Sequence, residues 1–216
     1  MKTMKTIPLT LTSLAVVALL SGCATSGYKQ ADKTGKGIAE FRAEVINLKQ
    51  AVDGAMADLA ATTETAATDP RKAFKAFAKS VDNVEKSRAK AGKRAASMKA
   101  AGDAYFEQWE AQLANISNPD IRNLAAERKA KLNEIFGKLR PLLERAKTDF
   151  DPFLADLKDL RTFLSQDLTI TGVDAAKDII AKTREHGVTL QKSLDELIDE
   201  MNSIAAALTP AKLAAQ

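Results

Sequence analysis

From residue 38 the chain repeats apolar residues in alternating steps of three and four. Ile38, Phe41, Val45, Leu48, Val52, Ala55 and Leu59 form the first seam. That spacing predicts a helix packed along a coiled-coil-like stripe. The pattern fades in the Thr-rich stretch from Thr62 to Thr68 and restarts after Asp69-Pro70. There a good N-cap residue precedes a proline suited to the first helical position. The second seam runs through Phe74, Phe77, Val81, Val84, Ala91, Ala95, Met98, Gly102, Tyr105, Trp109, Leu113 and Ile116, broken only by Arg88. Asn118-Pro119 repeats the cap-and-proline signal. A third seam follows through Ile121, Leu124, Ile135, Leu139, Leu142, Ala146, Phe150, Phe153, Leu157, Leu160 and Leu164. Pro141 and Pro152 lie inside it. An interior proline costs about 3 kcal/mol and bends a helix. One bent helix is expected, with a new helix capped at Asp151-Pro152 as the alternative. After a short linker around Thr169 to Gly172, the fourth seam runs through Val173, Ala176, Ile180, Thr183, Gly187, Leu190, Leu194, Leu197, Met201, Ile204 and Leu208.

Four helices with short connections predict an all-α fold, an elongated antiparallel four-helix bundle or coiled-coil-like rod. Helices two and three are expected to span about 70 Å and helices one and four about 50 Å, at 1.5 Å per residue. The hairpin between helices two and three, roughly residues 104–131, should therefore overhang its neighbours. Because directions alternate, the chain should enter helix one at the same end as this tip. Tyr105 and Trp109 fall on the seam and suit the core, whereas Phe106 lies off it and is the candidate for a tip contact with lipid or a membrane partner.

The segment before the first seam changes the picture. Lys2 and Lys5 precede an apolar run from Ile7 to Leu20, which is the order of a secretory signal peptide. The run is shorter than the approximately 20 apolar residues of a spanning helix. It ends in Leu20-Ser21-Gly22-Cys23, which resembles the lipobox of bacterial lipoproteins. Small residues there give a signal peptidase access to the backbone, and the Cys23 thiol is the group that accepts diacylglycerol. Cys23 is also the only cysteine, so no internal disulfide competes for it. The resemblance implies a three-chain lipid anchor. Ala24, in place of aspartate, implies the outer membrane facing the periplasm. The expected division is a signal peptide at 1–22, a lipidated N-terminus and flexible tether at 23–36, polar and carrying Gly27, Gly35 and Gly37 at or just beyond its end, the bundle at 37–208 and a frayed tail at 209–216.

Charge adds one candidate surface. Without Lys2 and Lys5 the 32 basic side chains fall to 30, against 28 acidic ones, so the chain as a whole is nearly balanced. Lys72, Lys75, Lys79, Lys86, Lys90 and Lys93 nevertheless share one stripe of the second helix, opposite its apolar seam. Such a stripe suits an anionic glycan, lipid or nucleic acid. The blander reading is neutralisation by acidic residues of the adjoining helices, namely Asp53, Asp58 and Glu64 on one side and Asp149, Asp151, Asp156 and Asp159 on the other. Export and the lack of interleaved aromatics disfavour nucleic acid.

No residue pattern calls for catalysis, a cofactor or a metal. His186 is the only histidine, whereas a di-metal bundle needs Glu-x-x-His on two helices. No nucleophile motif accompanies it, and a solvent-edge position beside Gly187 is expected. The segment Tyr105-Phe106-Glu107-Gln108-Trp109-Glu110, the turn Asn118-Pro119-Asp120-Ile121-Arg122 and the proline-containing stretch from Glu144 through Leu168 resemble a family of bacterial coiled-coil lipoproteins known only as a domain of unknown function. That resemblance implies the helical architecture and no activity. The expected role is a non-enzymatic, membrane-anchored scaffold or protein-interaction rod in the envelope, with a protein partner or self-association. The alternative is a binder of an anionic envelope polymer, peptidoglycan or lipopolysaccharide, through the basic face of helix two.

Overall fold

The structure, a computed structural model, describes residues 26–208, with the side chains of 26–28 left aside. The expected signal peptide at 1–22 with Leu20, Ser21 and Gly22, then Cys23 and Ala24, and the 209–216 tail lie outside the described residues. Six helices follow in order: α1 (Ser26–Glu64), α2 (Arg71–Leu113), α3 (Pro119–Gly137), α4 (Leu139–Gln166), α5 (Ile170–Ala175) and α6 (Lys177–Leu208). Among the described residues there is no strand.

Cross-helix contacts fix the directions. Arg94 pairs with Glu40 at 2.8 Å and Thr34 bonds the Ala101 carbonyl at 3.2 Å, so α2 descends beside α1. Arg161 reaches Asp82 at 2.7 Å and Lys158 reaches Glu85 at 3.1 Å, so α4 ascends beside α2. Arg145–Glu196 and Ser193–Asp149 run α6 antiparallel to α4, and Lys49–Asp195 closes it onto α1. The result is an antiparallel helical bundle in which α3 and α4 share the third position and α5 and α6 the fourth.

The seams are its core. Ile38, Phe41, Val45, Leu48, Val52, Ala55 and Leu59 are all buried and join one cluster with Phe77, Val81, Val84, Phe153, Leu157, Leu190 and Met201. Arg88 breaks the second seam without cost to it. Its guanidinium lies 4.7 Å from the Phe150 ring centroid and pairs with Asp151, so the stem packs while the charge is satisfied.

Four expectations need correction. Residues 26–36 are not a tether but the start of α1. Thr34 is fully buried, and both it and Gln30 donate to the Ala101 carbonyl, which ties this stretch to α2 despite Gly35 and Gly37. The overhang past α1 is correspondingly shorter. The third helix is interrupted for one residue at Lys138, which keeps right-handed helical angles, and runs unbroken through Pro152. Pro141 explains the position: its ring clashes with the carbonyl of the residue four earlier, Gly137, and it is tolerated in the first turn of α4. Finally, Ile121 and Leu124 are not core but 55% and 68% exposed.

The punctuation follows the sequence elsewhere. Asn118 accepts from the backbone N–H groups of Asp120 and Ile121 at 2.9 and 3.2 Å. Asp69 accepts from the Arg71 backbone at 3.2 Å and from its guanidinium, which holds the Asp69 carboxyl below the usual carboxylate range. Thr169 caps α5 by accepting from Gly172 at 3.1 Å.

Candidate functional site

Two surfaces stand out, one charged and one apolar. The charged one is the outer face of α2. Phe77, Val81 and Val84 turn inward at 0% exposure, which leaves Lys72, Lys75, Lys79, Lys86, Lys90 and Lys93 exposed on the far side. The expected neutralisation by adjoining helices reaches Arg88, which pairs with Asp151, and does not reach the six lysines. Among the described residues none of the six lysines has an ion pair or a side-chain hydrogen bond. The acids named as their partners are engaged elsewhere: Asp53 with Gln191, Asp149 with Ser193, Asp151 with Arg88 and Asp156 with His186. Asp58, Glu64 and Asp159 form no ion pair among the described residues. The geometric reason is that lysines opposite the seam point away from both neighbouring helices, whereas Arg88 and Arg94, nearer the seam, reach them.

The apolar surface is the end of the α2–α3 hairpin. Tyr105 is buried and Trp109 half-buried, their rings edge-on at 5.5 Å. Phe106 is not the exposed aromatic of the tip. It is half-buried, stacked edge-on against Tyr105 at 5.4 Å and against Phe136 of α3 at 5.3 Å. The exposed large apolar side chains of the hairpin are Ile121 and Leu124 instead. They share the face of α3 that carries Arg128, which donates to the Ala207 carbonyl near the end of α6, and buried Leu132. The seam spacing identified their face but not how far along it a neighbour reaches.

Burial pushes the Tyr105 phenol above its ordinary value of 10.0, against a smaller opposite pull from the Arg128 guanidinium. Burial favours the neutral phenol. The stability this adds is therefore present below about pH 10 and lost as pH rises through the raised folded-state value. Tyr105→Phe should show a smaller drop in thermal unfolding midpoint above pH 10 than the wild type. An identical alkaline profile for the two proteins would refute the link.

His186 is half-buried rather than at a free edge. Its Nδ1 lies 2.8 Å from the Asp156 carboxylate across the α4–α6 seam. Such a carboxylate holds the proton on Nδ1 and fixes the ring. Asp156 is its one hydrogen-bond partner among the described residues. Sequence reading missed this pair, because the partners are separated by a helix turn-around that only the bundle brings together. Among the described residues no group of His, Cys, Asp and Glu is placed to hold a metal ion, and no helix is long and apolar enough to cross a membrane.

No curated protein and no solved structure matches the chain. Residues 24–209, from the residue after Cys23 to one residue past α6, match a family described as "Protein of unknown function (DUF2959)". The match spans all six helices, and the chain belongs to that family.

Proposed function

We propose that the protein is a lipid-anchored envelope rod, a non-enzymatic scaffold or interaction module held at a membrane surface through Cys23. One juxtaposition carries the reading. The start of α1 lies beside the hairpin end of α2, through the bonds of Gln30 and Thr34 to Ala101, and that end presents exposed Ile121 and Leu124. An anchor on Cys23, three residues before α1, would therefore bring the apolar tip close to the membrane plane. Two or more acyl chains are needed for a durable anchor, and Ala24 favours the outer membrane. The long bundle would then project the rest of its surface into the periplasm.

Metabolic labelling with a clickable palmitate analogue tests the anchor. Label on the wild type in the outer-membrane fraction, and none on Cys23→Ser, is the expected result. Equal labelling of both proteins ends the anchor reading. A photo-crosslinking residue placed at Leu124, with Lys182 at the opposite end of the rod as comparison, tests the interaction. An adduct specific to position 124 and dependent on Cys23 is expected; none at 124, or the same adduct at both, ends the interaction-rod reading.

A further inference from the structure

The acidic side chains of residues 69–100 are Asp69, Asp82 and Glu85, and none is left to neutralise the lysine face. Asp69 is held by Arg71, Asp82 by Arg161 of α4 and Glu85 by Lys158 of α4. Just beyond the stretch, Asp103 is held by Lys99 at 2.6 Å. Flanking cations thus hold the carboxylates of residues 69–103, and none of the six lysines is paired.

Their layout is linear. At 3.6 residues per turn and 1.5 Å per residue, the six positions fall within an arc of roughly 60° and a length of about 31 Å. Neighbouring lysines are about 4.5–6 Å apart along the axis, except for one gap of about 10 Å between Lys79 and Lys86. Exposed Asn83 borders that gap on one side and Asp82, paired with Arg161, on the other.

The type of occupant follows from what the face lacks. A helix that lies in a bilayer inserts an apolar face, but the apolar face of α2 is spent on the bundle core, with Phe77, Val81 and Val84 fully buried. No aromatic ring stands among the lysines to stack on a base or a sugar. What remains is charge in single file, which complements a line of anions better than a plane of them. We propose that the outer face of α2 binds an extended polymer carrying regularly spaced phosphate or carboxylate groups, laid along the helix axis. The proposal goes beyond the anchored-rod reading and does not depend on it, since the face belongs to the folded bundle.

Titration of the full chain with long-chain inorganic polyphosphate over a range of salt concentrations tests it. Each ionic contact with a flexible polyanion contributes about 0.7 to the slope of log affinity against log salt, so six lysines should give a slope of about −4. The combined substitutions Lys75→Gln, Lys79→Gln, Lys86→Gln and Lys90→Gln should flatten it by about 3 and lower low-salt affinity by about tenfold or more. Lys131→Gln, Lys147→Gln, Lys177→Gln and Lys182→Gln, which remove equal charge elsewhere on exposed positions, should leave both nearly unchanged. Neither set should alter thermal unfolding. Equal loss from the two sets would overturn the proposal, because net charge alone would then explain binding. So would an unchanged slope in the stripe variant, or no binding by the wild type. Tighter binding to phosphatidylglycerol vesicles than to polyphosphate, through the same four lysines, would overturn it in favour of a lipid surface.

Discussion

Gly187→Val is expected to destabilise the bundle by about 2 kcal/mol or more, the range in which overpacking strains a filled core. The sign is the opposite of the usual one. Replacing a glycine inside a helix normally gains stability, since glycine is about 1 kcal/mol less favourable than alanine there. Gly187 is different because α6 passes close to both α1 and α4. A Cβ at this position would meet Met56 Sδ at 2.3 Å and Phe153 Cε2 at 3.0 Å. Met56 is flexible and half-buried and has room to turn. Phe153 is fully buried and has none. The internal comparison is Gly92, an exposed position on α2 where a Cβ meets nothing within 4 Å. Gly92→Ala should stabilise by about 0.5–1 kcal/mol. Urea unfolding followed by circular dichroism reads both. If Gly187→Val matches the wild type, α1, α4 and α6 do not approach as closely as this glycine requires.

Much of the fold was legible because a packed helix leaves a periodic signature. Every residue of the first seam is buried, as is every residue of the fourth except Leu208 at its end, which is half-buried. Periodicity reports which face of a helix is apolar, not whether a neighbour extends far enough to cover it. Ile121 and Leu124 keep the seam spacing yet are exposed, because they lie near the turn of the hairpin, toward the tip from the Arg128 contact with the end of α6. Glycine content was similarly a local cue that tertiary contacts overrode. Gly35 and Gly37 suggested a tether, but buried Thr34 shares its hydroxyl between the Gln30 carbonyl of α1 and the Ala101 carbonyl of α2, and α1 continues through them. Of the two prolines in the third seam, the ring at Pro141 ended a helix and the ring at Pro152 did not. Burial does not separate them: the residue four earlier, Gly137 or Thr148, is exposed in both cases, and buried side chains flank both prolines, Leu139 at Pro141 and Phe150 and Phe153 at Pro152.

The candidate surfaces were legible in part for the same reason. A stripe opposite a seam must face solvent, so the position of the six lysines followed from their spacing. Whether they were neutralised depended on the rotation of α1 and α4 about their axes, which no single helix encodes. Arg88 shows the difference: at a seam position it lies over Phe150 and beside Asp151. The His186–Asp156 pair belongs to the same class of facts, since it needs the register between α4 and α6.

Phe153→Ala should cost about 3–5 kcal/mol, the range for removing a buried aromatic ring. Phe153 is fully buried in the shared core cluster, on the helix that packs against both α2 and α6. Collapse to fill the void is opposed by the helices on both sides, which favours the upper part of that range. Its contact with Gly187 makes a sharper test available. In the wild-type background Gly187→Ala forces a Cβ against the Phe153 ring and Met56. With Phe153→Ala already present the ring contact is gone, and the added methyl partly fills the void. The two substitutions should therefore couple by about 0.5–3 kcal/mol, with the double variant more stable than the sum of the singles implies. Residues that do not touch add to within about 0.3–0.5 kcal/mol. Additivity within that margin, measured by urea unfolding of the four proteins in the cycle, would show that Gly187 and Phe153 are not in contact and that the packing of α6 against α4 at this level is wrong.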